Sequence, residues 1–264
     1  MENEFEEIAL TGGNVNTVVK VGDTVRRNMS GQSKNVHALL EHLEAKDFAS
    51  PRFLGIDDEN REILSYIEGE TDFPEDLWDD PKYLVSSAKL LRDFHDASLD
   101  FTSPEPSNWA FTYANEDHHD VINHNDFAPY NMVFNKIGLS GIIDFDLCGP
   151  GPRSRDIAYL AYWMSPLSFG ADGLKAKSEI ELSQGCLRLQ LLCETYGFDD
   201  LEEVLFMVSE VLHHMSDEAS AVKMIGAEAA KHLRIGGHFK HWSKEASAFD
   251  EKLPFLVSQL SLDR

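Results

Sequence analysis

His124-Asn125-Asp126-Phe127-Ala128-Pro129-Tyr130-Asn131, followed by the apolar run Gly141-Ile142-Ile143 and then Asp144-Phe145-Asp146, is the stretch on which the reading of this chain turns. It sets a carboxylate and a neutral amide five positions apart, with a second carboxylate closing a short run of strand character. Transfer of a phosphoryl group from a nucleotide asks a protein for three things: a carboxylate that orients the attacking hydroxyl, oxygen ligands for Mg²⁺, and a cover over the phosphates. Asp126 can accept a hydrogen bond from a hydroxyl. Asn131 and Asp144 offer the oxygen atoms that a hard cation prefers. Taken singly, each part has a plainer reading: Asp126 can cap a turn, and Asp144-Phe145-Asp146 can be a solvated strand end. The correctly spaced triplet is what carries information.

Upstream, Ile8-Ala9-Leu10-Thr11, Thr17-Val18-Val19-Lys20-Val21 and Thr24-Val25-Arg26-Arg27 read as β-strands, separated by the turn signals Gly12-Gly13-Asn14 and Gly22-Asp23. Val36, Leu39, Leu40 and Leu43 recur at helical spacing, which predicts an amphipathic helix over residues 33–46. Two further strands are expected at 51–55 and 62–67, split by the polar turn Asp57-Asp58-Glu59-Asn60. After Glu68-Gly69-Glu70 the composition changes. Tyr83, Leu84, Ala88, Leu91, Phe94 and His95 form an apolar stripe on a helix over roughly 79–98, a loop-rich region with short strands fills 104–154, and helical patterns dominate from Arg155 onward. The expectation is an α+β fold with a small N-terminal antiparallel-sheet lobe, residues 1–68, and a larger, mainly helical lobe, residues 69–264, with a ligand cleft at their junction.

The spacing His-x-Asp-x-x-x-x-Asn followed by Asp-Phe matches the protein-kinase signature. In particular, His124–Asn131 and Ile143-Asp144-Phe145-Asp146 resemble the H-G-D-x-x-x-x-N and I-D-W/F-x motifs of the aminoglycoside phosphotransferase and choline kinase superfamily, the small-molecule relatives of protein kinases. The similarity extends more weakly from about residue 8 to residue 164. The resemblance implies a protein-kinase-like fold and an Mg²⁺-dependent phosphotransferase that moves the γ-phosphate of ATP or GTP to a hydroxyl of a small molecule. It makes Asp126 the catalytic base and Asn131 and Asp144 the metal ligands, with His124 packing within the catalytic loop and Asp146 in the metal's outer shell or against substrate. Asp156 resembles the aspartate that braces that loop through backbone N–H groups; it can also be a helix N-terminal acid that complements the dipole.

Gly12, Gly13 and Asn14 would let backbone N–H groups approach phosphates, or form an ordinary hairpin turn. Ser65 and Ile67 fall in a segment resembling the hinge whose backbone bonds the nucleotide base; the plainer alternative makes Ile63, Tyr66 and Ile67 core-facing strand residues. Two departures stand out. Asn125 occupies a position where relatives usually have glycine, and Arg27 stands where a lysine normally meets the α- and β-phosphates. Arginine can grip phosphate in bidentate fashion, or it can be a surface residue of an edge strand. For its acidic partner the helix offers His37, Glu41 and Glu44 without a clear choice. The missing lysine keeps a nucleotide-binding pseudokinase open as an alternative. A metal-dependent phosphohydrolase is disfavoured, because such sites need more closely set His and Asp ligands.

The chain of 264 residues carries a net charge of -23, so nucleic acid and anionic membrane surfaces are poor partners and a cationic small molecule is a better one. The N-terminal residues lack the basic and apolar regions of a signal peptide, and no apolar run approaches the roughly 20 residues that span a bilayer, so a cytoplasmic location is expected. Cys148, Cys186 and Cys193 show no paired metal-ligand spacing. His118-His119 and His213-His214 are adjacent pairs whose members point to different faces, poor chelators of one ion. Trp163, Phe239 and Trp242 read as aromatic core, with lining of the substrate side as the other option.

Overall fold

Gly22-Asp23 joins strands β2 (Val18–Val21) and β3 (Thr24–Asn28), and Gly22 takes a φ of 59°, a conformation its missing Cβ permits without cost. In the computed structural model, which describes residues 7–10, 18–165, 167 and 179–262, these strands belong to a five-stranded antiparallel sheet. The sheet also contains β1 (Glu7–Leu10), β4 (Phe53–Ile56) and β5 (Arg61–Ser65), in the order β1-β2-β3-β5-β4. Between β3 and β4 runs α1 (Ser33–Ala45), whose Val36, Leu39, Leu40 and Leu43 are fully withdrawn from solvent. Burying each such side chain contributes about 1.5–3 kcal/mol, which is why this short helix is held firmly although no side chain caps its N-terminus.

The β3–β5 register sets Val25 opposite Leu64 and Arg27 opposite Glu62. Side chains alternate across a strand with a period of two, so Glu62 and Leu64 share the buried face of β5 while Ile63 is only half-buried. The core-facing set expected around Ile63 is therefore displaced by one residue, and a carboxylate comes inside.

Past β5 the chain turns away from the sheet. Glu70 and Phe134 exchange backbone hydrogen bonds in both directions at 2.8 Å, tying the connecting segment to the loop-rich region. Gly69 makes this approach possible: its φ is 147°, and a Cβ there would stand 2.3 Å from the Phe134 carbonyl oxygen. The long helix α2 (Pro81–Ser98) starts on Asp80, whose side chain accepts from the Lys82 backbone N–H, with proline at the first position where no N–H is needed. It packs against α1 on one side and the C-terminal helices on the other.

Four short strands then frame the key loop. β6 (Val121–Asn123) pairs with β9 (Gly149–Gly151), and β7 (Met132–Phe134) pairs with β8 (Leu139–Ile142), both antiparallel. Among the described residues that follow, helices dominate: α3 (Arg153–Met164), α4 (Glu179–Tyr196), α5 (Leu201–Ser216), α6 (Glu218–Ile225), α7 (Ala227–Ile235) and α8 (His238–Leu262). A continuous core runs from α1 through α2, the strand pairs and α3–α5 to α8. Cys148, Cys186 and Cys193 are free and buried, and Trp242 is part of this core with Trp163 packed against it. No helix among the described residues is long and apolar enough to cross a membrane.

Candidate active site

Residues 124–131 link β6 to β7, and Asp144 follows the end of β8, so the two strand pairs bring the loop and the second carboxylate together. The loop is braced from behind. Asp156, in the first turn of α3 and fully buried, accepts the backbone N–H of His124 at 2.6 Å and that of Asn125 at 2.8 Å. Its Oδ2 also contacts His95 Nε2 of α2 at 3.1 Å, and His95 Nδ1 contacts the Tyr196 hydroxyl of α4 at 2.7 Å. Burial alone would raise the Asp156 carboxyl, but the His95 bond and the backbone N–H outweigh it and hold the carboxyl below its ordinary value. Burial keeps His95 and His124 neutral by pushing both imidazoles down. His124 Nε2 donates to the Ile143 carbonyl at 3.1 Å, so this residue fastens the loop to the strand end before Asp144.

Asn125 adopts a φ of 62°, the left-handed region that glycine enters freely and asparagine tolerates better than other side chains. Its amide does additional work: Nδ2 donates to the Leu147 carbonyl at 2.8 Å, and Oδ1 accepts from Arg155 Nε at 2.8 Å. Arg155 in turn lies 4.1 Å over the Phe111 ring. The residue that departs from the glycine pattern thus keeps the backbone and adds two tethers.

Asp126 is half-buried, and burial, with the charge of Asp144 adding to it, pushes its carboxyl up to about 6 although hydrogen bonds oppose the rise. Those bonds come from the Tyr130 hydroxyl to Oδ1 and from Asn131 Nδ2 to Oδ2, the latter at 2.8 Å. Tyr130 also contacts the Tyr159 hydroxyl at 2.6 Å. Tyr130 was no candidate from sequence; only the turn at Pro129 folds it back over Asp126.

Asn131 and Asp144 are brought side by side by the backbone, since Ile143 N–H donates to the Asn131 carbonyl at 2.9 Å. Asn131 spends its Nδ2 on Asp126, which leaves its amide oxygen as the remaining polar atom. Asp144, at φ 67°, presents a side chain 49% exposed. An amide oxygen beside an accessible carboxylate fits Mg²⁺, which takes few protein ligands and fills its octahedron with water and phosphate oxygens.

From the sheet side, Arg27 reaches into the same place. Its NH1 contacts Asp144 Oδ1 at 3.2 Å and its NH2 contacts Asp146 Oδ1 at 2.6 Å, while Nε donates to Glu62 Oε1. Arg27 is 9% exposed, which settles against the edge-surface alternative. Burial pushes Asp146 up to about 6 against the pull of Arg27. Glu62 lies on β5 and not on the helix from which an acidic partner is expected; the sequence signal for it is the period-two pattern of β5, which turns Glu62 to the buried face.

Other expected residues fall elsewhere. Gly12, Gly13 and Asn14 lie outside the described residues. Ser65 commits its N–H to the Arg52 carbonyl at 2.9 Å and its hydroxyl to the Arg52 N–H at 2.8 Å, whereas Ile67 lies beyond the last ladder pair of β5. His213 meets Asp250 at 2.8 Å and His214 lies against Phe111, so the two point apart; among the described residues no three His, Cys, Asp or Glu side chains gather as a metal site.

Comparison with known proteins bears on this geometry. A family model described as a phosphotransferase enzyme family matches residues 106–182. The trifolitoxin immunity protein of Rhizobium leguminosarum bv. trifolii is 31% identical over 224 residues, 83% of this chain and 84% of that one. Among solved structures, the streptomycin–ATP–APH(2")-IIa ternary complex is similar with a TM-score of 0.54 at 14% identity, covering 94% of each chain. Ethanolamine kinase from Plasmodium vivax gives a TM-score of 0.59 at 14% identity, covering 97% of this chain and 85% of that one. At such identities the likeness of the structures is one of fold, and the fold is kinase-like.

Proposed function

The chain belongs to the aminoglycoside phosphotransferase and choline kinase superfamily, and from that premise we propose that it transfers the γ-phosphate of ATP or GTP to a hydroxyl of a small molecule. The observation that carries the reading is the convergence of Asp126 and Asn131, on a loop braced by Asp156, with Asp144 past the end of β8. Residues 1–68 serve as the nucleotide lobe, with Arg27 toward the phosphates and the backbone near Ile67 toward the base; residues 69–264 hold the catalytic loop and the acceptor. Asn131 and Asp144 would hold Mg²⁺, which would supply positive charge to offset that of the phosphates. Asp126 accepts the hydrogen bond of the acceptor hydroxyl, aligns it with the γ-phosphorus, and takes its proton as the new O–P bond forms and the bond from the γ-phosphorus to the β-phosphate oxygen breaks, releasing the nucleoside diphosphate. Its raised pKa brings the carboxylate nearer the basicity that this transfer needs. Tyr130 now donates to the Asp126 oxygen where an acceptor hydroxyl would bond, so acceptor entry exchanges one hydroxyl for another.

An acceptor bearing amines is favoured by the net charge of -23. The printed name of the relative, an immunity protein, and the antibiotic in the APH(2") complex put antibacterial compounds first among acceptors to try. The test is a screen of hydroxyl-bearing acceptors with Mg²⁺ and ATP or GTP, scored by phosphorylated product, in parallel with Asp126→Ala. Removal of the base should lower turnover about 10²–10⁴-fold while nucleotide binding persists. A second reading, a pseudokinase that binds nucleotide without transfer, is favoured by Arg27 standing at the lysine position. Nucleotide binding by a wild type inactive on every acceptor would select it, and absence of any Mg²⁺-nucleotide binding would sink both.

A further inference from the structure

The strand cation that reaches a nucleotide's phosphates needs a carboxylate to hold it, and α1 does not provide one here. Glu41 is exposed and Glu44 is turned toward Arg52 at 3.5 Å. We propose that Glu62 of β5, clamped by His37 of α1, is the positioning carboxylate that aims Arg27 at the nucleotide, so that the helix contributes a histidine where an acid was expected. The proposal rests on the phosphate-binding reading of Arg27.

Three observations carry it. First, Arg27 and Glu62 are register partners on adjacent antiparallel strands, so their side chains leave the sheet on the same face without any help from the helix. Second, the bonds are divided by edge. Glu62 takes Nε, and the outer edge formed by NH1 and NH2 faces Asp144 and Asp146. A guanidinium held by Nε keeps its orientation while its outer edge exchanges carboxylate oxygens for phosphate oxygens, a geometry that a lysine ammonium cannot reproduce. Third, both Glu62 oxygens are committed, Oε1 to Arg27 and Oε2 to His37 Nε2, and Glu62 is 2% exposed. The His37 ring is stacked on Phe53 of β4, with centroids 3.7 Å apart and planes within 12°, so it cannot swing away. Burial would raise the Glu62 carboxyl, but His37 and Arg27 together hold it below its ordinary value and ionised.

A buried charge cluster of this kind is weak ground for stability, since apolar side chains of the same volume often do as well. Its direction toward the cleft is what an apolar replacement would lose. The same linkage ties the seat of α1 to the aim of Arg27.

The experiment measures Mg²⁺-nucleotide affinity by calorimetry, with KM and kcat once an acceptor is known, in wild type, Glu62→Gln, Glu62→Asp, His37→Phe, Arg27→Gln and the double variant Arg27→Gln/Glu62→Gln. Loss of one charge-assisted hydrogen bond corresponds to about tenfold, so Glu62→Gln and His37→Phe should each weaken nucleotide binding by about that factor, with Glu62→Asp recovering part of it. In the Arg27→Gln background the Glu62 change should add less than about twofold, because a residue acting through another has nothing left to act on. His37→Phe keeps the stack on Phe53 and serves if Glu62→Gln does not fold. Variants that melt earlier yet, well below their Tm, bind nucleotide as tightly as wild type assign the pair a structural role and overturn the inference alone. Wild type that binds neither ATP nor GTP removes the reading beneath it as well.

Discussion

Asn125 shows how one residue can break a motif and keep its geometry. The position needs a left-handed backbone, φ 62°, which glycine supplies through freedom and asparagine through tolerance. A Cβ-bearing residue without asparagine's local hydrogen bonding loses about 1–2 kcal/mol there. Asn125→Ala should therefore be less stable than Asn125→Gly by about that amount in urea denaturation, although both lose the tethers to Leu147 and Arg155. Equal stability of the two variants would mean that the side-chain tethers, not the backbone, govern the position. Arg27 teaches the complementary lesson. Its identity was legible in the sequence, but its partner was not, because Glu62 lies on β5 and not on the helix where convention places the acid.

At the scale of elements, the loop 124–131 is held by a relay from α4 through α2 to α3: Tyr196, His95 and Asp156 in contact, with Asp156 reaching the loop N–H groups. This packing has a pH signature. His95 and His124 are 0% exposed and neutral, their pKa values depressed by burial. As pH falls below about 6.5 the unfolded chain binds protons at these two positions that the folded one refuses, so the stability that His95 and His124 contribute is complete above that pH and declines beneath it. Each histidine contributes a slope of up to about 1.4 kcal/mol per pH unit. Asp156, depressed as well, loses its contribution only at lower pH, near and below the ordinary carboxylate range. Asp126 and Asp146, pushed up to about 6, run the other way: the folded chain takes up their protons near that pH and the unfolded chain only near pH 4, so these two carboxyls add stability as the pH falls. The histidine part is isolated by NMR of the imidazole nitrogens: in the folded chain His95 and His124 should stay neutral from pH 7.5 to 5.5, and protonation of either near pH 6.5 would argue against neutral, buried imidazoles at the brace.

For the molecule as a whole, the sheet and the helical region are linked by Arg27, which joins β3 to Asp144 and Asp146. A ligand that bonds both sides should stabilise the entire chain. Mg²⁺-nucleotide at a hundred times its Kd adds about 2.7 kcal/mol, equivalent to a rise in Tm of about 5–10 °C for a chain of this size. A thermal shift should show this rise with Mg²⁺ and ATP or GTP and a much smaller one in Arg27→Gln. The acidic surface, net -23, adds a condition: the measurement belongs at fixed ionic strength, because screening by salt alone relieves self-repulsion and moves the baseline.

Much of this was readable from the chain. Apolar spacing located α1 and α2 to within a few residues, turn residues separated the strands, and the spacing from His124 to Asn131 pointed to the kinase-like fold. These are local signals, since periodicity and turn chemistry act between neighbours in sequence. What only the tertiary structure decided lies between side chains whose contacts no local pattern states: Glu62 beneath Arg27, His37 stacked on Phe53, and Tyr130 folded over Asp126. The same is true of the stretch that first identified the fold. Its residues were all in the sequence, but their protonation and orientation depend on burial, and burial is set by packing that no single segment encodes.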